Sequence, residues 1–424
     1  MIEWLYSLNV KKGGAAKAFL WTYIGSTILN AVPAGSETPW ADFVNNLNPK
    51  NNWSPRFMAV ALVLFLLLKI GDIVLKKAMS NQSIPHRLTE YMNSSSSANL
   101  ALVSELQGYA WGYDKVLHMA PDVFAGWKPE DLVIEKIEGT NFSFGNKDRE
   151  MKDGYQEYCR SEVYRSAIEK GNNNTRWMLV NAMPNFSKTD KKMYLTVRST
   201  DWCMTSYVWN YFRNNVESLQ NAVKKAYEGA GGLYPNSLCL HLVIVTADEK
   251  ALLTRIANTK RNDYPSKWAA TIGEQLEKED FVDGPNIDGQ FIRNWVRRAF
   301  MEEFGIEKRE YDTIVDDGSI RVLSINMEAD IYNFSLMTVV QLRYSFQEFD
   351  DYLRKTIVKD KEFINMEALK VKDIPSVMAK YKTIEAIDAE YHPSTFLRLF
   401  MCYIHYYGID HFTDEYAKCY QKKG

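Results

Sequence analysis

The chain sets a few dense apolar stretches among longer mixed ones, and their spacing predicts its elements. Phe57 to Leu68 is an unbroken run of twelve apolar residues, FMAVALVLFLLL, which continues past Lys69 through Ile70, Gly71, Asp72, Ile73, Val74 and Leu75. Ala18 to Ala34 is a second stretch, seventeen residues without a charge. A helix needs about 20 residues to cross a bilayer. Lys69 can snorkel, and Asp72 lies three residues on, so the two charges pair near the boundary. Together the stretches predict a two-helix transmembrane hairpin over residues 1–78. Trp40 and Trp53, in the loop between them, sit where an interfacial aromatic belt lies. Lys11, Lys12 and Lys17 precede the first span, and Lys76, Lys77 and Arg87 follow the second. The positive-inside rule then puts both termini in the cytoplasm.

Residues 79–99 are polar, with Pro85 and four consecutive serines, and read as a linker. Beyond them the pattern becomes α+β. Arg176–Ala182, Met193–Arg198, Leu238–Thr246, Ala251–Ile256, Ile320–Ile325 and Tyr332–Leu342 read as strands, with a turn at Ser199–Asp201 and a hairpin turn at Ala247–Lys250. Thr205–Tyr227 reads as one long helix, and the chain from Asp350 as mainly helical. The expected organisation is an accessory region at 100–175, a central domain at 176–345, and a helical part at 346–424 packed on it.

Composition narrows the function classes. The 424 residues are 46% hydrophobic and 25% charged, which is globular usage and excludes a largely disordered chain. A net charge of −2 argues against a general polyanion binder. A mean hydropathy of −0.33 excludes a polytopic membrane protein but leaves room for a short anchor. The five cysteines form no CxxC pair and the six histidines no HExxH, so neither a disulfide framework nor a Cys- or His-rich metal site is indicated. No phosphate-binding loop of the GxxxxGK[ST] or GxGxxG kind is present, so phosphates would need side-chain donors.

The segment that carries chemistry runs from Gly284 to Ile306, GPNIDGQFIRNWVRRAFMEEFGI. It resembles the Nudix box, G-x5-E-x7-R-E-U-x-E-E-x-G-U, through Gly284, Arg298, Phe300, Glu302, Glu303, Gly305 and Ile306. Upstream, Trp268 and Gly273 resemble the W-x-x-P-G-G approach to that box. The box glycine is either Gly284 or Gly273, followed by Glu274 and a loop expanded over Glu277–Pro285. The resemblance covers roughly Tyr194 to Leu342 and implies a Nudix-like α/β/α sandwich with added helices, preceded by the hairpin. Nudix hydrolases cleave nucleoside diphosphate derivatives with Mg²⁺ held by carboxylates on one helix face. Here Gln290 and Ala299 stand where two of those carboxylates belong. The resemblance leaves Glu302 and Glu303 as metal ligands if metal is bound. It leaves Glu302, Glu303 and Arg298 as the catalytic set if the chain is active, with Glu274 or Glu328 completing the metal site.

A degenerate box behind a hairpin resembles the transmembrane–Nudix effectors of bacterial CBASS anti-phage immunity. That resemblance implies an inner-membrane protein that senses a cyclic oligonucleotide made by a partner nucleotidyltransferase, self-associates, and disrupts the lipid bilayer. No cofactor is required in this reading. The other reading is a membrane-anchored Mg²⁺-dependent pyrophosphohydrolase. Candidate ligand contacts are Arg198, Thr200, Asp201 and Trp202 after one strand, Arg255 and Arg261 after another, and Trp268 as a stacking ring.

Overall fold

The computed structural model describes residues 115–120, 125–137, 142–186, 191–229, 231–258, 264–281, 289–356, 363–381 and 383–421. The expected hairpin and linker lie outside the described residues, as does Arg261. Among the described residues no helix is long and apolar enough to cross a membrane.

In chain order the elements are β1 (Lys115–Met119), β2 (Leu132–Ile137), α1 (Arg149–Tyr158), α2 (Glu162–Glu169), β3 (Thr175–Phe186), β4 (Lys191–Asp201), α3 (Trp202–Asn214), α4 (Val216–Gly229), β5 (Leu238–Val245), β6 (Lys250–Ile256), β7 (Trp268–Ala269) and β8 (Ile272–Gln275). They continue with α5 (Gln290–Phe304), α6 (Lys308–Ile314), β9 (Val315–Glu328), β10 (Asn333–Leu342), α7 (Phe346–Lys355), β11 (Phe363–Lys370), α8 (Ile374–Met378), α9 (Ile384–Glu390), α10 (Thr395–Tyr407) and α11 (Ile409–Gln421).

The strands form a mixed eight-stranded sheet, ordered β1-β9-β10-β5-β6-β11 with β8 on β5 and β7 on β6, and a three-stranded sheet ordered β2-β4-β3. Strand β5 is buried along its whole length, because both of its faces are covered. Leu238, Leu240, Leu242 and Ile244 pack with Phe291, Trp295 and Phe300 of α5. Val243 and Val245 pack with Leu397, Phe400 and Met401 of α10. The period-2 alternation of a strand therefore sends successive residues into two helical layers. The molecule is mixed α/β, with helices on both faces of its main sheet.

Two expectations need correction, and the mainly helical C-terminal part carries one strand besides its helices. The long helix is two helices that break at Asn215 (φ −133°, ψ 73°). Its side chain donates back to the Tyr211 carbonyl at 2.8 Å, the competition with the helix ladder typical of Asn. The turn at Ser199–Asp201 is the end of β4, paired to Thr175–Trp177. The C-terminal part contributes a strand, β11, on the outer edge of β6. It leaves Ile364 60% exposed, and a half-solvated edge strand lacks the apolar alternation that would identify it in sequence.

Candidate functional site

Helix α5 carries the box residues, and both of its ends are local designs. Gly289 precedes it at φ +62°, where a Cβ would collide with the Pro129 carbonyl. Gly305 ends it at φ +68°, with its N–H bonded to the Met301 carbonyl at 3.0 Å and that of Ile306 to the Phe300 carbonyl at 3.3 Å. This left-handed cap, with Ile306 fully buried, gives the terminal Gly-Ile of the box a structural reason.

Arg298 is 8% exposed and stands at the centre of the cluster. Its Nε donates to Asp280 Oδ1 at 2.9 Å, and Nη2 donates to Asp280 Oδ2 at 2.8 Å and to the Gln275 carbonyl at 2.5 Å. Nη1 faces Glu274 Oε1 at 3.1 Å and Glu302 Oε2 at 3.2 Å. A guanidinium has five N–H donors, so all are engaged. Burial works against its charge, but the Asp280 hydrogen bonds and the carboxylates of Glu274 and Glu302 outweigh it and hold its pKa above the ordinary value. Burial pushes the Glu274 carboxyl up to about 7, and Arg298 offsets only part of that.

Gly273 and Glu274 lie in β8, beside the helix, whereas Gly284 lies outside the described residues. Asp280, which belongs to the stretch expected to be loop expansion, closes a 3₁₀ turn at Lys278–Asp280 and supplies two of the Arg298 bonds. The sequence reading missed it, since no box position marks it.

These residues do not fit a Mg²⁺ site of the family kind. Ala299 is fully buried in the core and has no donor. Gln290 donates its amide to Asn294 Oδ1 at 2.9 Å. Glu303 is 6% exposed, while the Glu302 side chain is 44% exposed and faces Arg298. Among the described residues no three His, Cys, Asp or Glu side chains are arranged to hold a metal ion. A cation would meet the Arg298 charge where it needs carboxylate oxygen.

The opposite face of β8 has a different chemistry. Register places Gln275 beside Cys239 and Gly273 beside His241, while Ser335 pairs with both Cys239 and Asn326. Gln275, Cys239, Ser335 and Asn326 thus form a polar row across four strands. Glu328, 6% exposed, has His241 Nε2 at 3.6 Å and His392 Nε2 at 3.9 Å from Oε1, too long for hydrogen bonds. Burial, together with Arg398, pushes both imidazoles well below their ordinary pKa, so both are neutral. His241 Nδ1, Ser335 Oγ, Asn326 Nδ2, Ser237 Oγ and Gln275 Oε1 are buried with no hydrogen-bond partner among the described residues. Buried polar atoms without partners are uncommon in folded proteins.

The sequence-picked ligand residues fall into two places. Trp268 pairs with Arg255 across β7 and β6, and its carbonyl accepts from His392 N at 2.8 Å and Thr395 Oγ1 at 3.0 Å, which ties it to the segment that carries His392. Arg255 donates from Nε to the Ser266 carbonyl at 3.1 Å. Arg198, Thr200, Asp201 and Trp202 lie on the three-stranded sheet and the helix after it. Asp201 caps α3, accepting from Met204 N at 2.9 Å. Trp202 packs edge-on to Trp209 with centroids 5.4 Å apart. His241, His392 and Arg176 were missed. A lone histidine in an apolar strand was the available signal for His241.

No protein-family model and no curated protein matches the chain. Among solved structures it is similar to DR0079 from Deinococcus radiodurans, at 15% identity over 37% of this chain and 83% of that one, with a TM-score of 0.23. It is also similar to Tm1382, whose description provisionally calls it a Nudix hydrolase. That match has 14% identity over 39% of this chain and 81% of that one, with a TM-score of 0.22. Likeness of this extent says nothing of activity.

Proposed function

We propose that the chain is a membrane-anchored ligand sensor with a degenerate Nudix-like domain, which holds a cyclic oligonucleotide without cleaving it. The observation that carries this reading is the Arg298 cluster. The helix that would present carboxylates to a metal presents a buried Ala299, and its arginine is fully occupied by Asp280, Gln275, Glu274 and Glu302. Metal-assisted hydrolysis needs an open carboxylate set. A sensor needs polar groups that a ligand can satisfy, and the far face of β8 supplies them. In this proposal the N-terminal hairpin anchors the chain in a bacterial inner membrane with both termini cytoplasmic. Ligand made by a partner nucleotidyltransferase favours an assembled state, and assembly lets the hairpins disrupt the bilayer.

The competing reading, a pyrophosphohydrolase, draws on the meeting of Glu274 and Glu302 at one guanidinium. Purified full-length protein in detergent, given Mg²⁺ or Mn²⁺ and a panel of nucleoside diphosphate derivatives, separates the two. The sensor gives no turnover, and in liposomes it releases trapped dye when cyclic dinucleotides are added. Turnover that Glu302→Gln abolishes, without ligand-dependent leakage, identifies the hydrolase instead.

A further inference from the structure

We propose that Arg176, Arg198 and Thr200 form a phosphate-binding site on one face of the three-stranded sheet, beside the start of the box. The inference rests on the ligand-sensing reading and adds where an anionic group of the ligand docks. Register puts Thr200 directly opposite Arg176, and Arg198 opposite Met178. Residues two apart on a strand share a face, and diagonal neighbours lie about 7–8 Å apart, within reach of long side chains. The two guanidinium groups and the hydroxyl therefore share one patch.

Their hydrogen bonding is incomplete. Among the described residues Arg176 Nε, Arg198 Nε and Thr200 Oγ1 are buried with no hydrogen-bond partner, and Thr200 is 2% exposed. A buried hydroxyl and two buried guanidinium nitrogens without acceptors are costly to maintain, and an oxyanion satisfies all three. The patch is also preorganised. Arg176 Nη1 is bonded to Glu277 Oε1 at 2.8 Å, and its guanidinium carbon stands over the Trp202 ring, 5.5 Å from the centroid. Trp202 therefore acts by holding Arg176, a cation–π role, rather than as a stacking platform. Asp201 follows Thr200 on the strand and so lies on the opposite face, where Oδ1 of its carboxylate accepts from the Met204 amide.

Glu277, which holds Arg176, lies just beyond the end of β8 at Gln275. Two guanidinium groups against the one carboxylate of Glu277 leave a net positive patch, which fits a phosphoryl group and not a cation.

The test is isothermal titration of full-length protein in detergent with inorganic pyrophosphate and with ADP. Wild type binds both, and added salt weakens binding. Arg198→Ala lowers the affinity for both by about 10-fold or more, the worth of one charge-assisted hydrogen-bonded contact. Thr200→Val lowers it less, by about 3- to 10-fold. Arg198→Lys restores part of the loss, which a purely structural role would not do. Each variant is first required to keep the wild-type thermal transition. Unchanged affinity in both Arg198→Ala and Thr200→Val overturns the site while leaving the sensor reading intact. No binding of either probe by wild type overturns it as well. Hydrolysis of ADP, together with affinity that falls in both variants, keeps the site and removes the sensor reading.

Discussion

Strand β8 separates two polar clusters that follow opposite rules. Toward α5, Glu274 joins Asp280, Glu302 and the Gln275 carbonyl around Arg298, and every guanidinium donor has an acceptor. Toward α10, Gln275 and the neighbouring His241, Ser335 and Asn326 carry buried atoms with no partner among the described residues. The first cluster has the satisfied geometry of a structural brace, tying β8 and the 3₁₀ turn to the helix. The second leaves buried polar atoms unmatched. The difference teaches that the charged residues of the box-like segment are taken up by contacts with one another, while the unmatched polar atoms lie on residues outside that segment.

Breaking the brace is expected to give the largest effect. Arg298→Leu leaves Asp280 and Glu274 buried without a counter-charge, a change that costs about 3–5 kcal/mol in comparable pairs. It reads as a lower urea midpoint at unchanged slope. A loss below about 1 kcal/mol would place the cluster with ordinary surface pairs and erase the contrast between the two faces.

A smaller effect sharpens the comparison through pH. Burial raises the Glu274 carboxyl from 4.5 to about 7, so the folded protein keeps a proton that the unfolded chain gives up. Between these values the native state binds more protons, and stability therefore falls as pH rises, levelling off above the folded pKa. Glu274→Gln removes that titration. Across the window the variant gains on wild type by roughly 3 kcal/mol, the energy equivalent of the shift. Urea midpoints measured at several pH values check it, and a gap between variant and wild type that stays constant with pH would count against a raised Glu274.

The smallest effect is expected in the polar row. Ser335 Oγ makes no hydrogen bond among the described residues, so Ser335→Ala removes none and shifts stability by about 0.5 kcal/mol or less. Cyclic dinucleotide binding, followed by calorimetry, weakens all the same. A loss above about 1.5 kcal/mol without change in binding would make this face as structural as the other.

The elements visible in the sequence were those set by local patterns. The apolar run at Leu238–Thr246 identified a buried strand, which the structure places at Leu238–Val245. What stayed hidden depended on residues far apart in the chain. Asp280 lies 18 positions from Arg298, and Glu277 lies 101 from Arg176. Spacing within a helix shows which carboxylates share its face, but not which neighbouring turn will hold a third.

By itself, the sequence determined the strand periodicity and the substitution of Ala299 and Gln290 at carboxylate positions, because each is a property of adjacent residues. Only the tertiary structure decided that Arg298 is fully engaged, that Glu274 and Gln275 face opposite layers, and that His241 and His392 flank Glu328. Register and layer packing fix those relations, and both arise from contacts between segments that are distant in sequence.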